Sequence, residues 1–444
     1  VLTTEPHLGE NSVRRSSGGA CRHCEAPLRH TVVDLGMSPL CETFPGADEL
    51  NRMEPFYPLR VWVCDACYLV QVHEYVRPEH IFDIQYPYFS SYSVSWLRHA
   101  ERYVDDVVGR LGLGRDSLVI ELGSNDGYLL QYFVGRGVPA LGIEPAANVA
   151  AAARARGVPT LVRMFDARCA RELAGAAGAA LAISAGLASW PREGRRPDLI
   201  CGANVLAQVS DLNGFVQAIA ELLAPDGVVT IEFPHLERLI AENQFDTIYH
   251  EHFSYFSFTA AERIFAAHGL VLFDVEELPT HGGSLRIWGR QAASRRWPAT
   301  PRVTALRARE AATGVTTLPY YADFARRVED TKHNLLDFLI DARRQGRRTV
   351  GYGAPGKANT LLNYCGIRTD LVAFTVDRNP GKQGRFTPGT HIPILAPDAI
   401  DRDRPDYVLI LPWNLTAEIV EQMAHVRDWG GRFVVPIPEV KVIS

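Results

Sequence analysis

Residues 249–255 read YHEHFSY, two histidines around a glutamate with a tyrosine on either side. Such a cluster could ligate a metal, move a proton, or simply pack as an aromatic segment. Imidazole suits the second role because its ordinary pKa lies near neutrality. In an extended segment Tyr249, Glu251 and Phe253 face one way, and His250 and His252 the other; in a turn that partition fails. The metal reading has a stronger competitor elsewhere. Two C-x-x-C pairs, Cys21/Cys24 in CRHC and Cys64/Cys67 in CDAC, each offer two thiolates on one tight turn. Together they complete the closed tetrahedral sulfur shell that structural zinc prefers. Cys41 between them reads as a core thiol, and His23 as a weak competing ligand.

A third chemical feature is LVIELGSNDGYLLQYF at 118–133, a strand, a polar glycine-bearing turn and a helix. It lacks the G-x-G-x-x-G dinucleotide pattern. Gly123 and Gly127 let a ligand approach the backbone, and Glu121, Ser124 and Asn125 supply polar groups at the strand's carboxyl end. Glu144, followed by Pro145, ends the next apolar run, where a carboxylate accepts hydrogen bonds from ribose hydroxyls. Acidic groups disfavour a phosphate and suit a nucleoside carrying a sulfonium and an amine, so S-adenosylmethionine fits better than NAD.

These residues need elements to hold them. Strand–helix alternation from about residue 98 onward predicts a doubly wound parallel sheet. The reading is α/β in several parts. A tail spans 1–17, a small zinc-binding module 18–80, a central Rossmann-like domain 81–299, a helical connector 300–346, and a second Rossmann-like α/β domain 347–444. The Ala/Gly-rich and then charged stretch 174–196 reads as an insertion before the strand at 198. A net charge of −5 argues against a nucleic-acid partner, and no apolar run is long enough for a membrane span. With no apolar leader at the start, a cytoplasmic location and reduced thiols are expected. No coiled coil is evident, so a monomer is expected.

The ordered strings CRHCEAPL, YPYFSSYS, IELGSNDGYLL, IEFPHL, NQFDTIYHEHFSYFS, HGGSLR, GYGAPGKANTLLNYCGI and FTVDRNPGKQGRFTPGTHIPI span most of the chain. In them the sequence resembles the sugar C-methyltransferases of deoxysugar antibiotic pathways, which act on nucleotide-linked 4-keto-6-deoxyhexoses. The resemblance implies structural Zn²⁺ on the N-terminal module and S-adenosylmethionine on a central class I methyltransferase domain, Asn204 included. It implies a C-terminal domain that helps hold a dTDP-linked keto-deoxysugar. His252 becomes the expected general base that forms an enolate, with Tyr249, Glu251 and either Tyr86 or Tyr88 beside it. One departure stands out: Gln208 in NVLAQV occupies a position where the family usually carries histidine. Glutamine can donate a hydrogen bond but cannot carry the proton.

The loop GYGAPGKANTLL opens a helix in the C-terminal domain. Its glycines expose backbone N–H groups and Lys357 adds charge, so a phosphate could sit there. Tyr352, Gly353, Lys357 and Asn359, with Lys382 and with His281 of HGGSLR, are the expected contacts to the nucleotide sugar. The rival readings are an NADPH-dependent keto-sugar reductase using this second α/β unit, and a zinc-dependent binding protein without catalysis.

Overall fold

A computed structural model describes residues 19–82, 86–187 and 195–443, so the expected tail over 1–17 and part of the 174–196 insertion lie outside it. Three sheets organise the described residues. The central one has seven strands in the order Leu270–Leu278, Ser284–Gln291, Val228–Pro234, Leu199–Ala203, Val119–Leu122, Ala140–Glu144 and Thr160–Val162. Its last five strands run parallel, and Ser284–Gln291 inserts antiparallel beside Val228–Pro234. Four of those five strands are fully or mostly buried and read as near-continuous apolar runs, as expected of a sheet covered by helices on both faces, while the edge strand Thr160–Val162 is partly exposed. Chain order reverses direction across the sheet beside Val119–Leu122, and a ligand crevice is expected at the carboxyl end of such a switch point.

The C-terminal domain carries a six-stranded sheet, parallel except for its last strand Lys441–Ile443. The N-terminal sheet is antiparallel: His30–Ser38, Tyr57–Val63, Val70–Val72 and, from far along the chain, Ser254–Tyr255. The module expected over 18–80 therefore borrows its fourth strand from the end of YHEHFSY. It does not bury a core alone either. Val32, Leu59 and Val61 share one apolar cluster with Leu236, Phe245, Phe324, Leu335 and Leu361, drawn from the central domain, the connector and the C-terminal domain. The physical reason is size, since a domain of about 60 residues buries a small share of its surface and is only marginally stable by itself.

The connector is two helices, Pro301–Thr313 and Phe324–Arg344, and the first is tied into the central domain. Glu310 on it is fully buried and accepts from the His235 ring (2.8 Å), from the backbone N–H groups of Phe258 and Thr259 (2.6 and 2.8 Å), and from the Thr259 hydroxyl (2.6 Å). The carboxylate thus closes the N-terminus of helix Phe258–Ala267, where free N–H groups and the helix dipole favour an anion. Glu310→Ala leaves those donors buried without an acceptor. Urea unfolding is expected to show a loss of about 3–5 kcal/mol.

Candidate active site

The two cysteine turns are near copies of one another. In each, the first cysteine's N–H donates to the carbonyl five residues on (Ala26, 2.8 Å; Leu69, 3.0 Å), and its carbonyl accepts from the residue four on (Glu25 and Tyr68, 2.9 Å each). Glu25 and Tyr68 both take positive φ, 62° and 61°, which turns the chain back after the second cysteine. The four sulfurs lie within 4.8 Å of one another, and among the described residues no other such metal-ligating group occurs. A zinc ion bonded to each sulfur at about 2.3 Å sets the sulfurs about 3.8 Å apart, so the donors fit the ion. Cys41 is buried elsewhere, as a core thiol should be.

A cleft of about 270 Å³ opens at the switch point of the central sheet. Gly123, Asn125, Glu144, Pro145 and Asn204 line it as the sequence suggests, with Tyr86, Tyr88 and Gln208. Glu121, Ser124 and Gly127 lie behind the turn, outside the lining. Glu121 is fully buried, and burial pushes its carboxyl well above the usual range. Ser124 packs on the bare Cα of Gly142, and Gly127 on Val158. The bends depend on left-handed backbone at Gly123, Asn125 and Asn204, with φ of 66°, 47° and 62°. Asparagine tolerates that region better than other side chains. The cleft walls that sequence reasoning missed are Trp96, Tyr128, Met164 and Phe165, aromatic or soft residues that read equally well as core. Asp166 was missed as well; it lines the cleft while capping the helix that follows.

The chemistry of this lining can be tested against the expected cofactor. Glu144 accepts from the N–H groups of Asn125 and Ala146 (2.9 Å each), and burial raises its carboxyl to about 7. The Asn204 side-chain oxygen is buried without a partner among the described residues, and a Cβ at Gly123 would meet Val205 at 3.1 Å. The cleft is thus rich in acceptors and close in at one backbone point. It fits a ligand with hydroxyl and amine donors and positive charge, which S-adenosylmethionine is.

Residues 249–252 form a turn, closed by the His252 N–H donating to the Tyr249 carbonyl at 2.9 Å, so the strand-like partition of side chains does not hold. The two histidines separate completely. His250 points into the N-terminal module, bonding the Pro58 carbonyl (3.2 Å) beside the Tyr57 ring. His252 stacks on Tyr249 with ring centres 4.1 Å apart, and its Nδ1 lies 3.2 Å from the Thr247 carbonyl. A carbonyl only accepts, so Nδ1 carries the hydrogen and Nε2 keeps its lone pair, without a hydrogen-bond partner among the described residues. Burial lowers the His252 pKa to about 3, so the ring is neutral at physiological pH.

Glu251 turns the other way. It accepts from the Tyr86 hydroxyl (3.1 Å) and the Cys41 thiol (3.5 Å), so Tyr86 rather than Tyr88 touches the cluster. Burial, and after it the Glu42 carboxylate, push the Glu251 carboxyl upward. Glu42 itself pairs with Lys382 at 3.0 Å. Sequence reasoning missed Cys41 and Glu42 as site neighbours and gave Lys382 to the substrate.

The C-terminal loop does not form the phosphate cradle its glycines suggest. The Gly353 N–H donates to the Val376 carbonyl (2.6 Å), the Ala354 N–H to Asp377 (2.7 Å), and the Gly356 N–H to Glu42. Two carboxylates already fill the anion's place. Tyr352 is buried in its strand, and Asn359 donates to the Cys41 carbonyl at 2.6 Å. Lys357 instead reaches Asn414 (2.8 Å) over the Trp413 ring, and its charge is felt by His252 and His281. His281 lies 2.9 Å from the Asn204 amide and packs against Trp96.

Comparisons with known proteins follow the same division. A zinc binding domain family matches residues 21–82, a methyltransferase domain family 96–275, and the C-methyltransferase C-terminal domain family 279–438. Among solved structures, magnesium protoporphyrin IX methyltransferase of Synechocystis PCC 6803 with bound SAM aligns at 12% identity over 50% of this chain and 100% of that one, with a TM-score of 0.33. The DhpI–SAH complex aligns at 19% over 46% of this chain and 92% of that one, with a TM-score of 0.30. The sequence is also 35% identical to the C-methyltransferase NovU of Streptomyces niveus over 424 residues, 96% of each chain. A likeness of that length and identity, running through all three parts of the structure, means that this chain belongs to the C-methyltransferase family.

Proposed function

We propose that the chain methylates a carbon beside the ketone of a dTDP-linked 4-keto-6-deoxysugar, with C-3 as the acceptor, in the making of a branched-chain deoxysugar of an antibiotic. The observation that carries this reading is His252, a buried neutral imidazole with Nδ1 committed to a carbonyl and Nε2 free. When bound, S-adenosylmethionine supplies an electrophilic methyl group, and the chain's own task is to make the acceptor carbon nucleophilic. A C–H next to a ketone is acidic because its electrons delocalise onto the carbonyl oxygen. His252 Nε2 takes that proton, and the resulting imidazolium keeps its Nδ1–H bond to Thr247.

The negative charge that develops on the sugar oxygen needs donors close by in a site shielded from water. We assign that work to the Gln208 amide on the cleft wall; the Tyr86 hydroxyl beside it already donates its hydrogen to Glu251. Gln208 cannot supply a second proton carrier, so proton removal rests on His252 alone. Lys357, half-buried beside Trp413, adds a positive field that disfavours protonation of His252 at rest.

The test uses dTDP-4-keto-6-deoxyglucose with and without S-adenosylmethionine, in deuterated buffer. The expected results are deuterium incorporation at the carbon beside the ketone without the cofactor, and a product one methylene heavier with it. Methylation found by NMR at C-5, the other carbon beside the ketone, would revise the regiochemistry. Absence of both exchange and methylation across dTDP-4-keto-sugars would overturn the reading.

A further inference from the structure

We infer that Arg22, held inside the first cysteine turn, is a positioning residue for the base. Through it the zinc module fixes the backbone beside His252 and the segment that carries Gln208. This rests on the reading of His252 as the base and extends it to a residue in another part of the chain.

Arg22 is one of the two residues between Cys21 and Cys24, so a metal-closed turn sets its starting point. Its N–H donates to Gln71 Oε1 (2.9 Å), while Gln71 Nε2 donates to the Cys21 sulfur (3.2 Å). The backbone of Arg22 is therefore fixed to the ligand shell on both sides. Its guanidinium joins three separate segments, one in the module and two in the central domain. It donates to the Phe253 carbonyl and to Ser254 Oγ (3.1 Å), to the Val72 carbonyl (3.0 Å), and to the Ser210 carbonyl (3.1 Å). It also lies over the Phe253 ring, 5.5 Å from its centre.

Two of those acceptors flank site residues. Phe253 directly follows His252, and Ser210 is two residues past Gln208. The peptide units of Phe253 are pinned from both ends. Its N–H donates to the Ala207 carbonyl at 2.7 Å, and its carbonyl takes both Arg22 and the Val72 N–H (3.0 Å). A planar guanidinium presents several donors in fixed directions, so one side chain can hold several carbonyls at set angles. Lysine, a single charged point on a flexible stem, satisfies fewer of them. Arg22 stands outside the cleft lining. It acts by keeping His252 Nε2 and the Gln208 amide at a constant separation.

The test compares Arg22→Met and Arg22→Lys with His252→Asn. Zinc content is measured by mass spectrometry, backbone amide exchange is followed over 249–255, and steady-state kinetics are run alongside cofactor-free exchange of the sugar C–H. Arg22→Met is expected to keep one zinc per chain and to speed amide exchange within 249–255. Its kcat and C–H exchange rate should fall by about 100-fold, the cost typical of misplacing a catalytic group by roughly 1 Å, with little change in KM. Arg22→Lys should recover part of the loss. Zinc loss from Arg22→Met would make Arg22 a structural part of the metal site and overturn the inference. So would zinc-loaded Arg22→Met with kcat and C–H exchange unchanged. Normal C–H exchange by His252→Asn would instead remove the base assignment, a separate failure.

Discussion

His252→Asn is expected to lower the rate of methyl transfer by about 10²–10⁴-fold, the usual contribution of a general base. It should lower cofactor-free exchange of the sugar C–H by a similar factor. Asparagine keeps a donor for the Thr247 carbonyl and much of the packing against Tyr249, but it has no basic nitrogen. Affinity for S-adenosylmethionine should be unchanged, because His252 does not line the cleft at the switch point. The pH dependence gives an independent check. Burial lowers the His252 pKa to about 3, so kcat/KM should show no acid limb at the ordinary histidine value. His281, lowered by burial to about 4, behaves alike. Both rings are neutral when folded and protonate more readily when unfolded. Their contribution to stability is therefore complete above pH of about 6.5 and is lost as pH falls towards the folded values. Unchanged C–H exchange in the asparagine variant would show that another group removes the proton.

Which of these features could be read from the sequence depended on how local they are. The cysteine pairs and the strand–turn–helix at 118–133 are local, and the structure forms the sulfur cluster and the turn where the spacing puts them. The side-chain roles around 249–252 are not local. Alternation along YHEH suggests a strand, but the turn is imposed by partners far away. Among these, Glu251 meets Cys41 across 210 residues of sequence, and Tyr86 across 165. The phosphate-cradle expectation fails for the same reason. Glycine spacing shows that N–H groups can be exposed, yet Glu42 and Asp377 arrive from elsewhere to take them. A signal for the missed left-handed bends was present, since Asn125 and Asn204 each sit just past a strand, where asparagine replaces glycine at modest cost. The aromatic cleft walls carried no such signal, because a ring facing a cofactor and a ring facing a core have the same composition.

Zinc removal is expected to be the most damaging single change. Four sulfurs within 4.8 Å of one another need a cation to offset their mutual repulsion once ionised, and for such sites metal binding free energy is folding free energy. In zinc-finger peptides that term reaches about 10–16 kcal/mol at neutral pH, comparable to the whole stability of a typical domain. The consequence here is not confined to residues 18–80. The module's sheet takes Ser254–Tyr255 as its fourth strand, so loosening it frees the chain directly after His252. Its apolar residues also share a cluster with the connector and the C-terminal domain. Stripping zinc with a strong chelator, or Cys64→Ser, should therefore abolish methyl transfer and lower the melting temperature. Re-adding Zn²⁺ should restore both in the chelated wild type but not in the variant. Cys41→Ser serves as the control: it should retain one zinc per chain, since that sulfur stands outside the cluster. Full activity in metal-free protein, with the four cysteines cycling through disulfides instead, would show that the turns are redox pairs.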